Sequence, residues 1–196
     1  MADAPAGRRA GRIIVLSGPS GVGKSTLAQR VAASGEFPLD LSISATSRRP
    51  RPGEQNGVEY HFLDREEFER LRDQGSFLEC AQVFGNWYGT LKSVVDESLA
   101  AGRRALLEID VQGFRQVKSK CPDCVGFFLQ APTERDYLLR LQARGTESPE
   151  AIERRLAEAR VELESAHLYD YLIVNRTLDE AEEEFRRSLR ELVGSS

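Results

Sequence analysis

The chain of 196 residues is 40% hydrophobic and 30% charged, an ordinary globular composition that permits one domain, with inserted subdomains, around a sizeable core. A net charge of -4 argues against nucleic acid as the main partner, and no apolar run reaches the length of a membrane span, so no membrane partner is expected. Three cysteines suit a reducing compartment, and residues 1–10 lack the apolar core of a secretory signal, so they read as a short flexible tail on a cytoplasmic protein.

Arg12–Ser17 then reads as a buried strand. The next stretch, Gly18-Pro19-Ser20-Gly21-Val22-Gly23-Lys24-Ser25 with Thr26 following, fits G-x-x-x-x-G-K-[S/T], the P-loop. The chemistry explains the spacing. Glycines let the backbone turn tightly and bring several N–H groups onto phosphate oxygens, the lysine reaches the β- and γ-phosphates, and the hydroxyl of Ser25 ligates Mg²⁺. Lys24–Ala33 reads as the helix that follows, its N-terminus aimed at the anion. Leu39–Ala45 alternates and predicts one strand. Ser47–Gly57 predicts a loop carrying Arg48, Arg49 and Arg51. Alone, such a cluster is equally a solvated basic loop; beside a P-loop it points to a second phosphate site.

Glu59–Leu63 reads as a short strand, and Asp64 caps a helix to about Gln74. Phe77–Phe84 and Trp87–Gly89 predict a strand pair across Gly85-Asn86, and Val94–Ala100 a helix. Arg104–Asp110 is a buried strand ending in acid, and Phe114–Lys120 a helix. Cys121-Pro122-Asp123-Cys124 spells C-x-x-C, but His61 and His167 are the only histidines, so a turn before the strand Val125–Gln130 is expected rather than a metal or redox site. Thr133 caps a helix to Arg144, and Ser148-Pro149 starts another with Ile152, Leu156, Ala159 and Leu163 on one face. Tyr171–Val174 is a strand, and Leu178, Ala181, Phe185, Leu189 and Leu192 mark a final helix. Strands separated by helices predict a mostly parallel sheet covered on both faces; the patch from Leu39 to Trp87 breaks that rhythm as an inserted α+β subdomain.

In seven ordered segments the chain resembles guanylate kinase: Leu16-Ser17 with the P-loop, Ser44–Tyr60, Phe77-Leu78-Glu79, Asn86-Trp87-Tyr88-Gly89-Thr90, Glu108-Ile109-Asp110-Val111-Gln112-Gly113, Arg140-x-x-x-Arg144-Gly145-Thr146-Glu147 and Ile173-Val174-Asn175. The resemblance runs from about Arg12 to Leu192. It implies an α/β fold of the P-loop NTPase type, with core segments 11–42, 93–132 and 166–196, a GMP-binding insert over 43–92 and a helical lid over about 133–165. It implies the reaction ATP + GMP → ADP + GDP, extended to dGMP, by direct in-line transfer with Mg²⁺. Arg48, Arg51, Tyr60 and Tyr88 would hold the GMP phosphate, and Ser44, Glu79, Thr90 and Asp110 would read the guanine. The chemistry agrees: guanine offers N1–H and N2–H₂ donors that a carboxylate accepts as a pair, whereas adenine presents an acceptor at N1.

Asp110 at the end of a parallel strand suits a carboxylate pointing into a ligand crevice, and equally an acid capping the next helix. Glu108, two residues back on the same face, would sit near the metal, through water. Arg140 and Arg144 share a helix face, Gly145 suits a hinge, and Arg155 follows in the next helix; with Lys24 they would neutralise the transferring phosphoryl group. A phosphopeptide-binding scaffold on the same frame is disfavoured by the intact lysine and arginines. A ribose-bisphosphate kinase would not need Glu79, Asp110 and the Ser44–Tyr60 arrangement together. The departures from the family pattern are Ser47 for Thr, Val111 for a larger residue and Glu108 for Asp.

Overall fold

The computed structural model describes residues 11–83, 85–143 and 148–194. In chain order these form β1 (Ile13–Ser17), α1 (Lys24–Ala33), β2 (Leu39–Ser42), β3 (Ala45–Thr46), β4 (His61–Phe62) and α2 (Arg65–Asp73). There follow β5 (Phe77–Val83), β6 (Asn86–Leu91), α3 (Lys92–Ala100), β7 (Arg104–Glu108), α4 (Val111–Lys120) and β8 (Val125–Gln130). The remainder is α5 (Glu134–Ala143), α6 (Pro149–Glu164), a 3₁₀ turn (Ala166–Leu168), β9 (Tyr171–Val174) and α7 (Leu178–Gly194). No helix among the described residues is long and apolar enough to cross a membrane.

Every residue of β1 is buried. Side chains alternate across a strand, so Ile14 and Leu16 enter one core with Leu27, Val31 and Phe185, while Ile13 and Val15 enter another with Val95, Phe114 and Val117. A strand buried on both faces demands helices on both sides, which suits parallel pairing. The sheet has the order β2-β7-β1-β8-β9, and all its pairs are parallel. The mostly parallel α/β architecture expected from the sequence is therefore the one observed. The helix after β1, α1, packs into the first core, and the helix after β7, α4, into the second. Adjacent strands whose helices leave to opposite faces open a crevice at their carboxyl ends, the usual ligand site of such sheets. The P-loop and Asp110 lie on its two sides.

A second sheet of order β4-β3-β6-β5 stands on a small core of Ala45, Phe68 and Phe77, with Phe68 stacked on Phe77 at 4.4 Å. Here the structure corrects four sequence expectations. The single strand predicted over Leu39–Ala45 is two strands in two sheets. Ser42 pairs with Leu107 in the parallel sheet, whereas Ala45 pairs with Gly89 in the second. The apolar alternation continues across the break, so periodicity alone could not show it. Asn86 belongs to a strand rather than a turn, since Val83 pairs with it. The strand predicted over Arg104–Asp110 stops at Glu108. Asp110 accepts a hydrogen bond from the Gly113 N–H at 2.7 Å and caps α4, which begins at Val111 rather than Phe114.

The other caps follow the sequence. Asp64 accepts from Glu67 N–H at 2.7 Å, and Ser148 accepts from Ala151 N–H at 3.3 Å with Pro149 behind it. Cys124 N–H bonds the Cys121 carbonyl at 3.0 Å, so the C-x-x-C segment is a turn, and all three cysteines are free thiols. Tyr137, Leu141 and Ala159 join α5 to α6 in a small core of their own.

Candidate active site

Gly23 is the N-cap of α1 at φ 105, with no side-chain cap on the helix, so the first N–H groups point at the crevice. Gly18, at φ 139, has no room for a side chain: a Cβ would stand 2.0 Å from the Leu129 carbonyl oxygen. Gly21 also holds a positive φ, 91. The loop is tied down from behind. Val22 N–H bonds the Pro19 carbonyl, Tyr137 donates to the Ser20 carbonyl at 2.6 Å, and the buried Asn175 donates to the Val22 carbonyl at 2.8 Å. Lys24 Nζ lies along the loop, donating to the Gly18 and Pro19 carbonyls at 2.6 and 3.1 Å. Ser25 and Thr26 are exposed at the start of the helix.

Register brings the next group in. Leu16 pairs with Glu108 across β1 and β7, and the Ser25 hydroxyl donates to Glu108 Oε1 at 2.7 Å. Hydroxyl and carboxylate oxygens side by side are the hard donors Mg²⁺ accepts, with water completing its shell. Among the described residues no three His, Cys, Asp or Glu side chains group around a common metal position.

Across the crevice, the second sheet gathers a cationic, aromatic cluster. The Arg48 guanidinium lies 5.4 Å from the Tyr60 ring centre and 5.6 Å from that of Phe62, and the Tyr60 and Tyr88 rings meet edge to face at 5.8 Å. Burial pushes the Tyr60 hydroxyl pKa up, and the Glu108 carboxylate adds to the shift. That carboxylate thus bonds the P-loop serine and its charge is felt at Tyr60. Arg51 is exposed on the same turn.

Glu79 sits deeper, 4% exposed. A register shift in β5 between Phe77 and Glu79 marks a bulge, and Phe77, Leu78 and Glu79 are all buried in succession. Phe77 enters the small core and Leu78 the main one. Glu79 pairs with Thr90, whose hydroxyl donates to its Oε1 at 2.7 Å. Burial pushes the Glu79 carboxyl up to about 7, the Thr90 hydroxyl holds it down, and the Asp110 charge raises it further. The edge of β5 is held by α4: the Gln116 amide donates to the Cys80 carbonyl at 2.8 Å and accepts from its N–H at 3.2 Å, and Lys120 bonds the Leu78 carbonyl. Glu79, Thr90 and Asp110 are therefore brought together. Ser44 lies at the passage between the two sheets, its carbonyl bonded by His61 N–H.

Of the three arginines expected at the transferring phosphoryl group, Arg140 meets backbone oxygens: its guanidinium bonds the Asn175 carbonyl at 2.6 Å and the Arg176 carbonyl at 3.2 Å, and reaches Val22 O at 3.4 Å. Arg155 is half-buried on α6, and Arg144 lies outside the described residues. Two residues escaped the sequence reading. Asn175 braces the P-loop, and only its place in the segment Ile173-Val174-Asn175 hinted at it. Glu162, on α6, lines a cavity of about 250 Å³ with Asp110, Arg115 and Ser165. Burial pushes its carboxyl up to about 7, Lys24 lowers it and Asp110 raises it. The helical spacing from Ala159 marks Glu162 as inward-facing, the one signal that could have found it.

The guanylate kinase family model matches residues 10–192. Guanylate kinases from Rubrobacter xylanophilus and Dechloromonas aromatica are 48% and 46% identical over 185 and 181 residues, covering 94% and 92% of this chain and 96% and 89% of theirs. The crystal structure of guanylate kinase from Anaplasma phagocytophilum aligns with a TM-score of 0.76 at 33% identity, covering 93% of this chain and 86% of that one. Agreement of this extent, in sequence across nearly the whole length and in the course of the backbone, makes the chain a member of the guanylate kinase family, which phosphorylates GMP with ATP.

Proposed function

We propose that the P-loop holds ATP, that the second sheet holds GMP, and that transfer takes place between them beside Glu108. One observation carries this reading: the Glu108 carboxylate accepts the Ser25 hydroxyl of the P-loop at 2.7 Å, and its charge is felt at Tyr60 beside the second sheet, so both phosphate-binding arrangements lie within the field of one carboxylate. Gly18 to Thr26 cradle the ATP phosphates, with Lys24 leaving the loop carbonyls for the phosphoryl oxygens. Arg48, Arg51, Tyr60 and Tyr88 bind the GMP phosphate; Glu79, Thr90, Asp110 and Ser44 read the guanine. Ser25 would hold Mg²⁺ directly and Glu108 through water, and the ion would supply charge neutralisation to the phosphates.

The helices α5 and α6 act as a lid over about 133–165. Arg144 and Arg155 bring positive charge to the transferring group, and Arg140 acts at the rim of the P-loop. In this reading catalysis is positioning and electrostatics, with closure keeping water from ATP. No residue proposed for the base or phosphate reads the ribose 2′-hydroxyl, so dGMP is a second acceptor. The protein works in the cytoplasm, where its substrates and reduced thiols belong.

Supplying GMP, AMP, UMP and CMP separately with ATP and Mg²⁺ tests the reading directly. ADP release with GMP alone is expected, and comparable turnover with AMP would overturn the base-site assignment. A finer check uses Gly113, where an added Cβ would stand 2.6 Å from Glu79 Oε2. Gly113→Ala must push that buried carboxylate aside at a cost of ~1–3 kcal/mol, so the KM for GMP should rise about tenfold or more. Steady-state kinetics should show the KM for ATP unmoved.

A further inference from the structure

Arg48 carries five N–H groups, and the structure commits three of them. Nη1 donates to Glu54 Oε2 at 2.9 Å and to the Arg49 carbonyl at 2.8 Å, and Nη2 donates to Glu54 Oε1 at 2.9 Å. The carboxylate therefore covers the end edge of the guanidinium. The Nε–H and the outer Nη2–H are not taken by that carboxylate or the Arg49 carbonyl, and together they form the side edge, the other face of the fork that can take two oxygens at once. Tyr88 is within hydrogen-bonding reach of the same guanidinium, and Tyr60 and Phe62 lie against its face.

The same carboxylate also fixes the loop. Glu54 Oε2 accepts from the Arg51 backbone N–H at 2.6 Å, and Glu54 N–H bonds the Arg51 carbonyl at 3.0 Å. Glu54 thus ties the Arg48 side chain and the turn that carries Arg51 into one unit. Both partners of the ion pair are largely sheltered, with side chains 14% and 18% exposed. A long cationic side chain is in this way ordered before any ligand arrives, which removes much of the entropy cost of using it.

We propose that Glu54 is a positioning residue for the acceptor nucleotide: it grips the end edge of Arg48 and presents the side edge, beside Tyr88, to two oxygens of a nucleoside monophosphate. The inference rests on the reading of Arg48, Tyr60 and Tyr88 as the GMP phosphate site. The opposite role is physically available to the same contact. A carboxylate could instead compete with phosphate for the arginine, and then removing its charge would tighten binding.

The sign of the effect on GMP decides between the two. Glu54→Gln should raise the KM for GMP about tenfold, the worth of one charge-assisted hydrogen bond, with kcat and the KM for ATP within about twofold. Glu54→Asp keeps the charge but is one methylene too short to span both nitrogens, and it should show the same selective rise; it also serves if the first variant folds poorly. Guanosine, which has no phosphate, should inhibit the wild type and both variants equally. With Arg48→Lys as the background, which offers no fork to orient, Glu54→Gln should add less than about twofold. An unchanged or lower KM for GMP in both variants overturns the proposal, as does an equal weakening of guanosine. If Arg48→Lys alone leaves the KM for GMP unmoved, the phosphate-site reading itself fails and the proposal falls with it.

Discussion

Lys24→Ala should lower kcat for GMP phosphorylation by roughly a thousandfold, as expected when a fixed charge aimed at the developing transition state is removed. The fold should survive. Lys24 Nζ is held by the carbonyls of Gly18 and Pro19, both of its own loop, whereas the loop's course is set by glycine dihedrals and by the Tyr137 and Asn175 bonds behind it. GMP affinity measured by calorimetry should be retained, because the Arg48 cluster and Glu79 stand on the second sheet. Near-normal turnover would remove Lys24 from the chemistry, and loss of GMP binding together with kcat would show that the variant has disturbed more than the P-loop. The lysine also holds down the Glu162 carboxyl, so its removal should raise that pKa further. Arginine at the same place is a poor substitute, since a planar fork cannot fit where a compact ammonium lies along two carbonyls.

The P-loop and the parallel sheet were legible because each rests on local chemistry. Three glycines at positive φ, a lysine and a serine at fixed spacing have few other uses, and β1 reads as buried on both faces because all five of its positions are buried. The caps at Asp64 and Ser148 were legible for the same reason. What the sequence hid depends on contacts distant along the chain. The break between β2 and β3 leaves the alternation intact and shows only in the partners, Leu107 for Ser42 and Gly89 for Ala45. The bulge beside Glu79 is likewise set by pairing with β6. Asp110 could be read as strand end or helix cap, and it caps α4 while its charge still reaches Glu79 and Glu162. Glu54 was visible only as one acid among the arginines of its loop; its grip on Arg48 is a matter of side-chain geometry that no spacing announces.

Glu79→Gln is expected to exchange guanine selectivity for stability. The carboxylate is 4% exposed and receives one hydroxyl, so burial sets its pKa at about 7, well above the ordinary 4.5. Between those two values the folded protein keeps a proton that the unfolded chain has released. Stability is therefore greatest below pH 4.5 and is lost as pH rises to about 7, by ~3 kcal/mol from this group alone. An amide has no such titration, so denaturant unfolding at pH 8 should find the variant more stable than the wild type, with the gap closing as pH falls towards 4.5. Glu162, also at about 7, titrates in the same window and keeps its share of the slope in both proteins. Function runs the other way. Guanine brings two donors to an acceptor pair, which requires the ionised carboxylate, so wild-type KM for GMP should rise as pH falls below about 7, approaching tenfold per unit. Glutamine turns one acceptor into a donor and leaves a donor facing a donor in a buried site. A fall in kcat/KM for GMP of roughly a hundredfold to a thousandfold is expected, with the pH dependence of KM below 7 flattened and the KM for ATP unmoved. Unchanged discrimination between GMP and AMP would take Glu79 out of the base site. Greater stability at pH 8 without loss of that discrimination would mean that the buried charge serves no purpose in recognition.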